Sequence, residues 1–562
     1  MSMSEERWDA IVVGAGQGGL TAAAYLAVAG GLKVLVLEAN AIAGGSAQVF
    51  RRRGRYEFDV GTHYLPEGGP GGVLHAAYRG LGLGERIAFA PLDPDCFDRV
   101  VLPDLDVSVP ADPAGYRERM AAALPGEADA VRAYADLTHE LYQRVRAEVI
   151  RPYGTAPEPG DRPLGGWSTA TLDKLMRHCG LSARARTALA AQSLNYGLAP
   201  KQVSALGHAA MLGDYLAGAW YPEGGGQQLS ASLIEALAGY GGQLRTRSRV
   251  ERILVRGGRT AGVRLTDGTE LHAPIVVSNA DYRRTVLELV GAEHLPAAAT
   301  ARAERAVMAL PLVSLYLAVD ARVVRPPAHN IWWYETEDID GLYQRLADGE
   351  FDQPEVAFLS SGSAKNPAHH AADHHTIEVI TVAPPGWEHW TVDPADATPA
   401  AAEAYAYRRD EVYQRQKQRL EQQLLDLAER ILGTPLRGHL LHCELATPLS
   451  QIRFTGATGG TPYGLATTPR QYGALRPDHA TALPGLFLTG SSSRNGCGIS
   501  AVTVGGVRAA ELVLEQSLLS EVLAGKVYGS AAALPERGPG WDPLLASRGT
   551  RADRHPGRRE RS

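Results

Sequence analysis

The sequence predicts an α/β chain that begins with a strand, a glycine-rich turn, a helix and a second strand. Residues 11–20 read IVVGAGQGGL, where four of six successive positions are glycine inside an apolar run. Residues 8–13 have the character of a buried strand, residues 20–29 are rich in Ala and Leu, and residues 33–37 form a second apolar run. This order is typical of the first unit of a parallel, Rossmann-like sheet.

The four glycines of the turn indicate a ligand that approaches the main chain closely. Gly14 permits the tight turn, Gly16 lets a diphosphate reach the backbone, and Gly19 lets the helix pack against the strand, with Gly18 completing the run. The N–H groups at the helix N-terminus then face the phosphates. We therefore expect a dinucleotide at this turn.

Glu38 strengthens that interpretation, because a glycine-rich turn alone is also compatible with a purely structural role. Glu38 lies at the end of the second apolar run, 19 residues after Gly19. A carboxylate in this place accepts hydrogen bonds from the ribose hydroxyls of a dinucleotide. The turn and the acid together favour a dinucleotide site.

Further motifs identify the dinucleotide through a resemblance. They are GGS (Gly44, Gly45 and Ser46), YPEGG at 221–225 and LPGLFLTGSSSRNGCGISAVTVGG at 483–506. In this order they resemble the FAD-binding pattern of the phytoene desaturase, carotenoid isomerase and retinol saturase family, within the amine-oxidase-like flavoprotein superfamily. The resemblance extends from about residue 8 to about residue 515. It implies FAD and an α/β fold with a GR2-type, Rossmann-like FAD-binding domain and a discontinuous α+β substrate domain.

The closing motif predicts a second backbone contact with the cofactor. Residues 483–489 have strand character and end at Gly490, where the main chain can approach the diphosphate or ribityl chain. Gly498 and Ile499 then begin another helix, whose N-terminus is expected to face the electron-rich end of the flavin.

Residues 243–277 predict a meander of short strands with turns at Gly257-Gly258 and Asp267-Gly268. The resemblance implies that this is the three-stranded crossover of the FAD domain, with main chain near Val250 pairing with the adenine. No second glycine fingerprint follows a strand, so we expect no NAD(P)H domain. An external electron donor or acceptor is therefore predicted.

The cofactor domain is expected to be discontinuous. We assign residues 1–110, 222–300 and 480–525 to the FAD-binding domain, 111–221 and 301–479 to the substrate domain, and 526–562 to a disordered tail. The tail is predicted because this end is rich in Gly, Pro and Arg and has few apolar residues to bury.

Helical spacing over 126–150 predicts a helix that packs in the core or walls an apolar tunnel. Residues 311–319 and 376–383 are predicted strands.

FDVGTHYL at 58–65 is the most discriminating stretch for chemistry. Gly61, His63 and Tyr64 resemble the retinol saturase branch more than the desaturase branch, and we expect His63 and Tyr64 to be active-site residues. His63 is a candidate to give or take the proton that accompanies hydride transfer, since its ordinary pKa lies near neutrality. The alternative is a histidine that only supports its loop. Tyr463, in a Gly-Gly-x-x-Tyr-Gly turn, is expected either to face the pocket or to pack.

The resemblance implies redox chemistry on an apolar polyene or isoprenoid small molecule. Saturation of a double bond is favoured, and desaturation and redox-neutral isomerisation remain close alternatives. Two rivals also remain open. One is a flavin amine oxidase, and the other is a prenyl-lipid carrier that shares this architecture without flavin catalysis.

Composition excludes several other classes. A formal net charge of −6 argues against general nucleic-acid binding. The four cysteines are far apart and form no C-x-x-C pair, so neither a disulfide framework nor a zinc site is expected. The histidines between 369 and 375 lack helical ligand spacing, and we predict no metal. Without a recognisable secretory signal, a cytoplasmic location is expected, and peripheral membrane contact through the tail arginines is left open. No oligomeric state is predicted.

Overall fold

The strands form five sheets within residues 7–153, 155, 165–386, 389–390 and 406–550, the part of the chain that the computed structural model describes. In chain order the strands are β1 (Ala10–Val13), β2 (Val34–Leu37), β3 (Val49–Arg52), β4 (Tyr56–Asp59), β5 (Leu65–Pro66), β6 (Phe89–Pro91), β7 (Asp98–Leu102), β8 (Leu105–Val109), β9 (Ala219–Pro222), β10 (Gln243–Arg245), β11 (Val250–Arg256), β12 (Arg259–Leu265), β13 (Glu270–His272), β14 (Ile275–Ser278), β15 (Leu312–Asp320), β16 (Asn330–Tyr334), β17 (Val356–Ser360), β18 (His374–Val382), β19 (Leu440–Ala446) and β20 (Leu486–Leu488).

The α-helices connect and cover these sheets. They span Gln17–Val28, Val73–Gly80, Pro113–Ala123, Ala128–Ile150, Leu172–His178, Ala183–Leu189, Ala205–Leu216, Gln227–Gly239, Tyr282–Arg284, Ala297–Glu304, Ile339–Ala347, Gly362–Lys365, Glu411–Leu432, Pro448–Thr455, Ile499–Leu514, Leu518–Leu523 and Pro543–Ala546. None of the helices in the described ranges is long and apolar enough to cross a membrane.

A parallel sheet with the order β10-β2-β1-β14-β20 confirms the predicted Rossmann-like architecture. Side chains of β1 and β2 alternate between two cores, as the two-residue period of a strand requires. Val12 and Val36 pack against the helices on one face, and Ile11 and Leu35 pack against the three-stranded sheet on the other. The first helix begins at Gln17, three residues earlier than the sequence indicates.

The predicted meander forms the antiparallel sheet β11-β12-β13. The predicted closing strand is β20, which is shorter than expected, and the helix after it begins at Ile499 as predicted. β20 thus completes the edge of the parallel sheet, and the sheet β11-β12-β13 packs against one face of it.

A seven-stranded mixed sheet has the order β19-β15-β18-β17-β16-β7-β8. Its centre confirms the two predicted strands, since β15 and β18 pair antiparallel from Leu312↔Val382 to Asp320↔His374. However, β7 and β8 were assigned to the FAD-binding domain, and the boundary predicted at residue 110 is wrong. β7 pairs in parallel with β16, which lies far along the chain, and local sequence patterns carry no signal for such a pairing.

The disordered tail was also wrongly predicted for residues 526–550. Thr550 N–H donates to Leu244 O at 3.1 Å and pairs with the edge strand β10, and Asp542 forms an ion pair with Arg51 at 2.8 Å. The Ser547 carbonyl accepts from Ala43 N–H at 3.0 Å. These polar contacts, together with the burial of Leu534 and Leu544, order this segment. Residues 154, 156–164 and 551–562 lie outside the described residues, and so does that last part of the predicted tail.

Candidate active site

A cavity of about 530 Å³ lies between the parallel sheet and the seven-stranded sheet. Gly14, Glu38, Asn279 and Gly490 line it, and each directly follows or lies just beyond the carboxyl end of β1, β2, β14 or β20. In open α/β sheets, ligands bind at this edge. The cavity therefore lies where the sequence predicts a nucleotide.

The opening turn is held by contacts that exclude side chains. Gly14 has φ +93°, which only glycine adopts without strain. A Cβ on Gly19 would lie 2.3 Å from Gly14 O, and a Cβ on Gly16 would lie 2.7 Å from Asn279 Nδ2. Gly19 thus brings the Gln17–Val28 helix against the turn, as the sequence predicts.

The GGS motif lies directly beside this turn. Gly44 has φ +135°, and its N–H donates to Ala15 O at 2.8 Å. A Cβ on Gly45 would lie 3.0 Å from the Gly16 Cα. Ser46 lines the cavity, and its carbonyl would lie 2.9 Å from a Cβ on Gly61. The two glycine segments and Gly61 therefore leave a channel bordered mainly by backbone.

Glu38 is buried and holds the turn. Its Oε2 accepts from Ala15 N–H at 3.0 Å, and its Oε1 accepts from the N–H and Nδ2 of Asn40 at 2.8 and 3.0 Å. Burial raises the pKa of Glu38, while these hydrogen bonds act in the opposite direction. Ser248 N–H donates to Glu38 O at 2.8 Å, which places Val250 on the same side of the cavity.

The closing segment meets the opening turn. A Cβ on Gly18 would lie 3.1 Å from Gly490 N, and a Cβ on Gly506 would lie 2.5 Å from Gly18 O. Gly498 has φ +96° with open space around its missing Cβ, and Ile499 begins the next helix. The two ends of the sequence pattern thus border one cavity.

These residues fit a dinucleotide. The helices Gln17–Val28 and Ile499–Leu514 both direct their N-termini into the cavity, and the first N–H groups of any helix have no intrahelical partner. Such termini favour phosphates and other negative groups. Glycine backbone, two helix N-termini and a buried acid at the end of β2 form the donor and acceptor set that FAD requires.

The turn Gly14–Gly19, the GGS motif, Glu38 and the loop Gly490–Gly498 together form the cofactor cradle. His63 lies outside this cradle, on the apolar side of the cavity. Its ring is 5.4 Å from the ring of Phe358, and its Nδ1 is buried without a hydrogen-bond partner among the described residues. Burial, reinforced by the positive charge of Lys365, lowers the pKa of His63 to about 3. His63 is therefore neutral at neutral pH and suited to hydrogen bonding rather than to proton uptake, because burial moves its pKa away from the ordinary value near neutrality.

Tyr64 is fixed by a buried polar group and an aromatic neighbour. Its hydroxyl donates to Asp98 Oδ2 at 3.2 Å and accepts from Asn195 Nδ2 at 3.0 Å. Its ring stacks on Tyr215 with centroids 4.1 Å apart and an interplanar angle of 16°. Burial, followed by the nearby Asp98, raises the pKa of Tyr64, so the phenol keeps its proton.

Tyr463 lines the cavity as a wall. Its hydroxyl donates to Leu194 O, and its ring lies 3.0 Å from the position of a Cβ on Gly197. The hydroxyl is thus engaged by the main chain. Tyr463 therefore both borders the cavity and packs against Gly197.

Sequence reasoning missed several residues of the site. Asn279 follows β14 directly, and its place at the end of a parallel strand was the available signal. Arg476 was not singled out because arginine is abundant in this chain. Tyr215 and Asp98 carried no local signal, since they come from a helix and a strand that meet only in the folded protein. The described residues contain no group of three or more ligands placed to hold a metal.

The curated relatives include two kinds of enzyme. All-trans-retinol 13,14-reductase of Danio rerio is 26% identical over 92% of this chain and 88% of its own length. Prolycopene isomerase of Arabidopsis thaliana is 26% identical over 91% of this chain and 83% of its own length.

Solved structures share the fold at lower identity. An oxidoreductase from Methanosarcina mazei has a TM-score of 0.58 and 18% identity and covers 90% of this chain and 100% of its own. A putrescine oxidase has a TM-score of 0.59 and 16% identity and covers 91% and 99%.

The model of the family described as "Flavin containing amine oxidoreductase" matches residues 18–514, which include Gly18 and Gly19 of the opening turn, the GGS motif and the closing loop. The match therefore covers the cavity lining from Gly18 onward. The chain belongs to the flavin-containing amine oxidoreductase family and is a FAD-dependent oxidoreductase.

Proposed function

We propose that the protein acts on a carbon–carbon double bond of an apolar polyene or isoprenoid substrate, in the direction of saturation. The retinol reductase and prolycopene isomerase relatives support this substrate class. The Gly61-x-His63-Tyr64 stretch, which resembles the retinol saturase branch, supports the direction. Electrons come from an external donor.

The apolar lining of the cavity carries the proposal. One face of the seven-stranded sheet forms its floor, with Ser314 opposite Ile380 and Ile380 opposite Phe358 in register. Leu312 and Trp332 extend this floor along neighbouring strands. A floor of aliphatic and aromatic side chains suits a conjugated hydrocarbon better than a charged substrate.

The helix Ala128–Ile150 supports an entrance for such a substrate. Its N-terminal half packs in the core through residues such as Val131, while Val145, Val149 and Ile150 at its other end line the cavity. Ile150 is 37% exposed, so an apolar side chain lies where the cavity opens. Arg146 forms an ion pair with Glu67 beside it. We infer that the substrate enters along this helix end.

The cofactor orientation follows from the cradle. We infer that the diphosphate lies at the turn Gly14–Gly19, the ribose at Glu38, the adenine along the main chain at Val250, and the flavin ring at the loop from Gly490 to Gly498. The ring then borders His63 and the apolar floor. Each position matches a group of the chain with the chemistry that part of FAD requires.

The chain contributes orientation, exclusion of water and proton transfer. When bound, FAD supplies a hydride donor or acceptor for a substrate carbon. Tyr64 keeps its proton at neutral pH, and Asn195 Nδ2 donates to its oxygen, which supports negative charge there after the proton leaves. We therefore assign Tyr64 as proton donor and neutral His63 as a group that orients the substrate.

Amine oxidation is the rival activity within this family. An ammonium group is recognised over the face of an aromatic ring within about 6 Å. The faces of Tyr64 and Tyr215 are stacked on each other at 4.1 Å, so no ammonium fits between them. These two rings therefore form no aromatic cage for an amine, and it is the apolar floor that favours the polyene.

The experiment reduces the FAD-loaded protein anaerobically and adds retinoid and carotenoid polyenes one at a time. Saturation predicts flavin reoxidation and a product heavier by two hydrogens. An unchanged mass with altered double-bond geometry would indicate isomerisation instead. A panel of amines, with detection of hydrogen peroxide in air, tests the rival, and turnover of an amine without reaction of any polyene would contradict the proposal.

A further inference from the structure

We propose that Arg476 is a buried cation that raises the reduction potential of the bound flavin and fixes the loop against which the ring lies. No motif or resemblance assigns a role to this residue. The inference rests on the proposed orientation of FAD, with the ring at the closing loop.

Arg476 is fully buried, with 1% of its surface exposed, and it lines the cavity. Its hydrogen bonds all go to main-chain carbonyls. Nε donates to Ser493 O at 3.0 Å, Nη1 donates to Gln471 O at 3.0 Å, and Nη2 donates to Ser491 O at 2.6 Å and Leu465 O at 3.1 Å. Because two of these carbonyls lie between β20 and the Ile499–Leu514 helix, the guanidinium holds the closing loop in place.

The charge of Arg476 is not neutralised locally. Among the residues that the structure describes, no carboxylate lies within ion-pair distance of it, and its acceptors are neutral carbonyls. Arg508 provides the contrast, since it is equally buried but lies 2.7 Å from Glu511. Burial lowers the pKa of Arg476 to about 10, so it remains a cation at neutral pH.

An unpaired buried cation is costly, and folding alone does not favour it over an apolar residue. A negative group that arrives with the cofactor would offset that cost. The reduced flavin ring carries more negative charge than the oxidised ring, and Arg476 lines the same cavity as Ser491, Cys497 and Gly498. In a cavity of low dielectric, this cation adds to the positive end of the Ile499–Leu514 helix.

The consequence is a flavin that is easier to reduce. A more positive potential lets a weaker external reductant load the ring, at the expense of some driving force for hydride delivery to the substrate. Through this potential, Arg476 determines which external donors can reduce the flavin. It is a positioning residue, because its N–H groups are engaged by the loop rather than aimed at the ring.

The test compares midpoint potentials of the FAD-loaded wild type and Arg476→Gln without substrate. Loss of the charge should lower the equilibrium constant for flavin reduction at least tenfold, which is a shift of about 30 mV to more negative potential for a two-electron couple. The double variant Arg508→Gln/Glu511→Gln removes a neutral buried pair and should leave the potential unchanged. A wild-type potential in Arg476→Gln would overturn the proposal and leave only a structural role.

Arg476→Lys separates the charge from the hydrogen bonds. If the Gln variant does not retain FAD, the Lys variant tests whether the charge at residue 476 raises the flavin potential. Lysine keeps a charge but cannot reach four carbonyls in this geometry, and buried lysines lose their proton more readily than arginine. Relative to wild type, its potential should match at pH 6 and become more negative toward about pH 8.5, where Arg476 of the wild type still keeps its charge. A difference that does not change with pH would contradict the proposal. Since no substrate is present, failure of polyene turnover would not affect this result.

Discussion

The two sides of the cavity are built in different ways. The cofactor cradle consists mainly of backbone, with glycines at the ends of parallel strands and two helix N-termini. The apolar side consists of side chains that reach the same space from β15, β16, β17, β18 and the Ala128–Ile150 helix. The cradle must match one fixed ligand, whereas the apolar side needs only shape and low polarity. Substitutions should therefore affect the two sides differently.

Breaking the cradle should have the largest effect. In Gly19→Ala the new Cβ would lie 2.3 Å from a main-chain oxygen, so the helix must move away from the turn. We expect loss of FAD from the purified protein and destabilisation of about 3 kcal/mol or more. Gly126→Ala is the matched control, since nothing lies within 4 Å of its Cβ position. Flavin absorbance per protein measures the outcome, and full FAD content in Gly19→Ala would contradict it.

Lowering the pH should decrease the free energy of unfolding through His63, which lies on the apolar side of the cavity. The folded-state pKa is about 3 and the ordinary value is 6.5, so the unfolded chain binds the extra proton between these values. The stabilising contribution of neutral His63 is therefore present above pH 6.5 and is lost as the pH falls toward 3.

His63→Gln should reduce the difference in unfolding free energy between pH 7 and pH 4 by about 3 kcal/mol. Denaturant unfolding at both pH values measures this difference. His294→Gln, at an exposed position, is the control and should leave the pH dependence as in wild type. An unchanged pH dependence in His63→Gln would show that burial does not hold this ring neutral.

Glu38→Gln tests the cradle with a smaller change. Glutamine keeps one acceptor oxygen but loses the charge-assisted hydrogen bonds that a carboxylate makes to the turn and to ribose hydroxyls. FAD affinity should fall by about 2 kcal/mol, or about thirtyfold. Titration of the apoprotein with FAD measures the dissociation constant. An equal affinity would place the ribose elsewhere.

The smallest effect is expected from a change to the apolar floor. Phe358→Leu removes aromatic surface next to His63 and should raise KM for the polyene about tenfold, or about 1.4 kcal/mol, while FAD content stays constant. Phe351→Leu is the matched control, because Phe351 is buried outside the cavity. A parallel loss of FAD in Phe358→Leu would show that the two sides are not independent.

The features that the sequence could predict are those that depend on residues close together along the chain. The turn from Gly14 to Gly19 and the helix that begins at Ile499 depend on residues within a few positions of each other, so their local pattern was sufficient. The pairing of β7 with β16 and the contact of Thr550 with β10 join distant segments, and no local pattern encodes them.

Site residues follow the same division. Glu38 was found because its distance from the turn is fixed by one helix and one strand. The neutral state of His63 was not, since it depends on burial and on Lys365 from a remote helix. The charge environment of a side chain is thus a property of the folded cavity rather than of its motif.

We propose that one cavity places a flavin beside an apolar floor that binds a polyene. The most direct measurement mixes anaerobically reduced protein with a retinoid polyene and follows the flavin and polyene absorbance together. We predict that one double bond is lost for each flavin reoxidised. Failure of every polyene to reoxidise the flavin, together with reduction of the oxidised flavin by an amine, would contradict polyene reduction in this cavity.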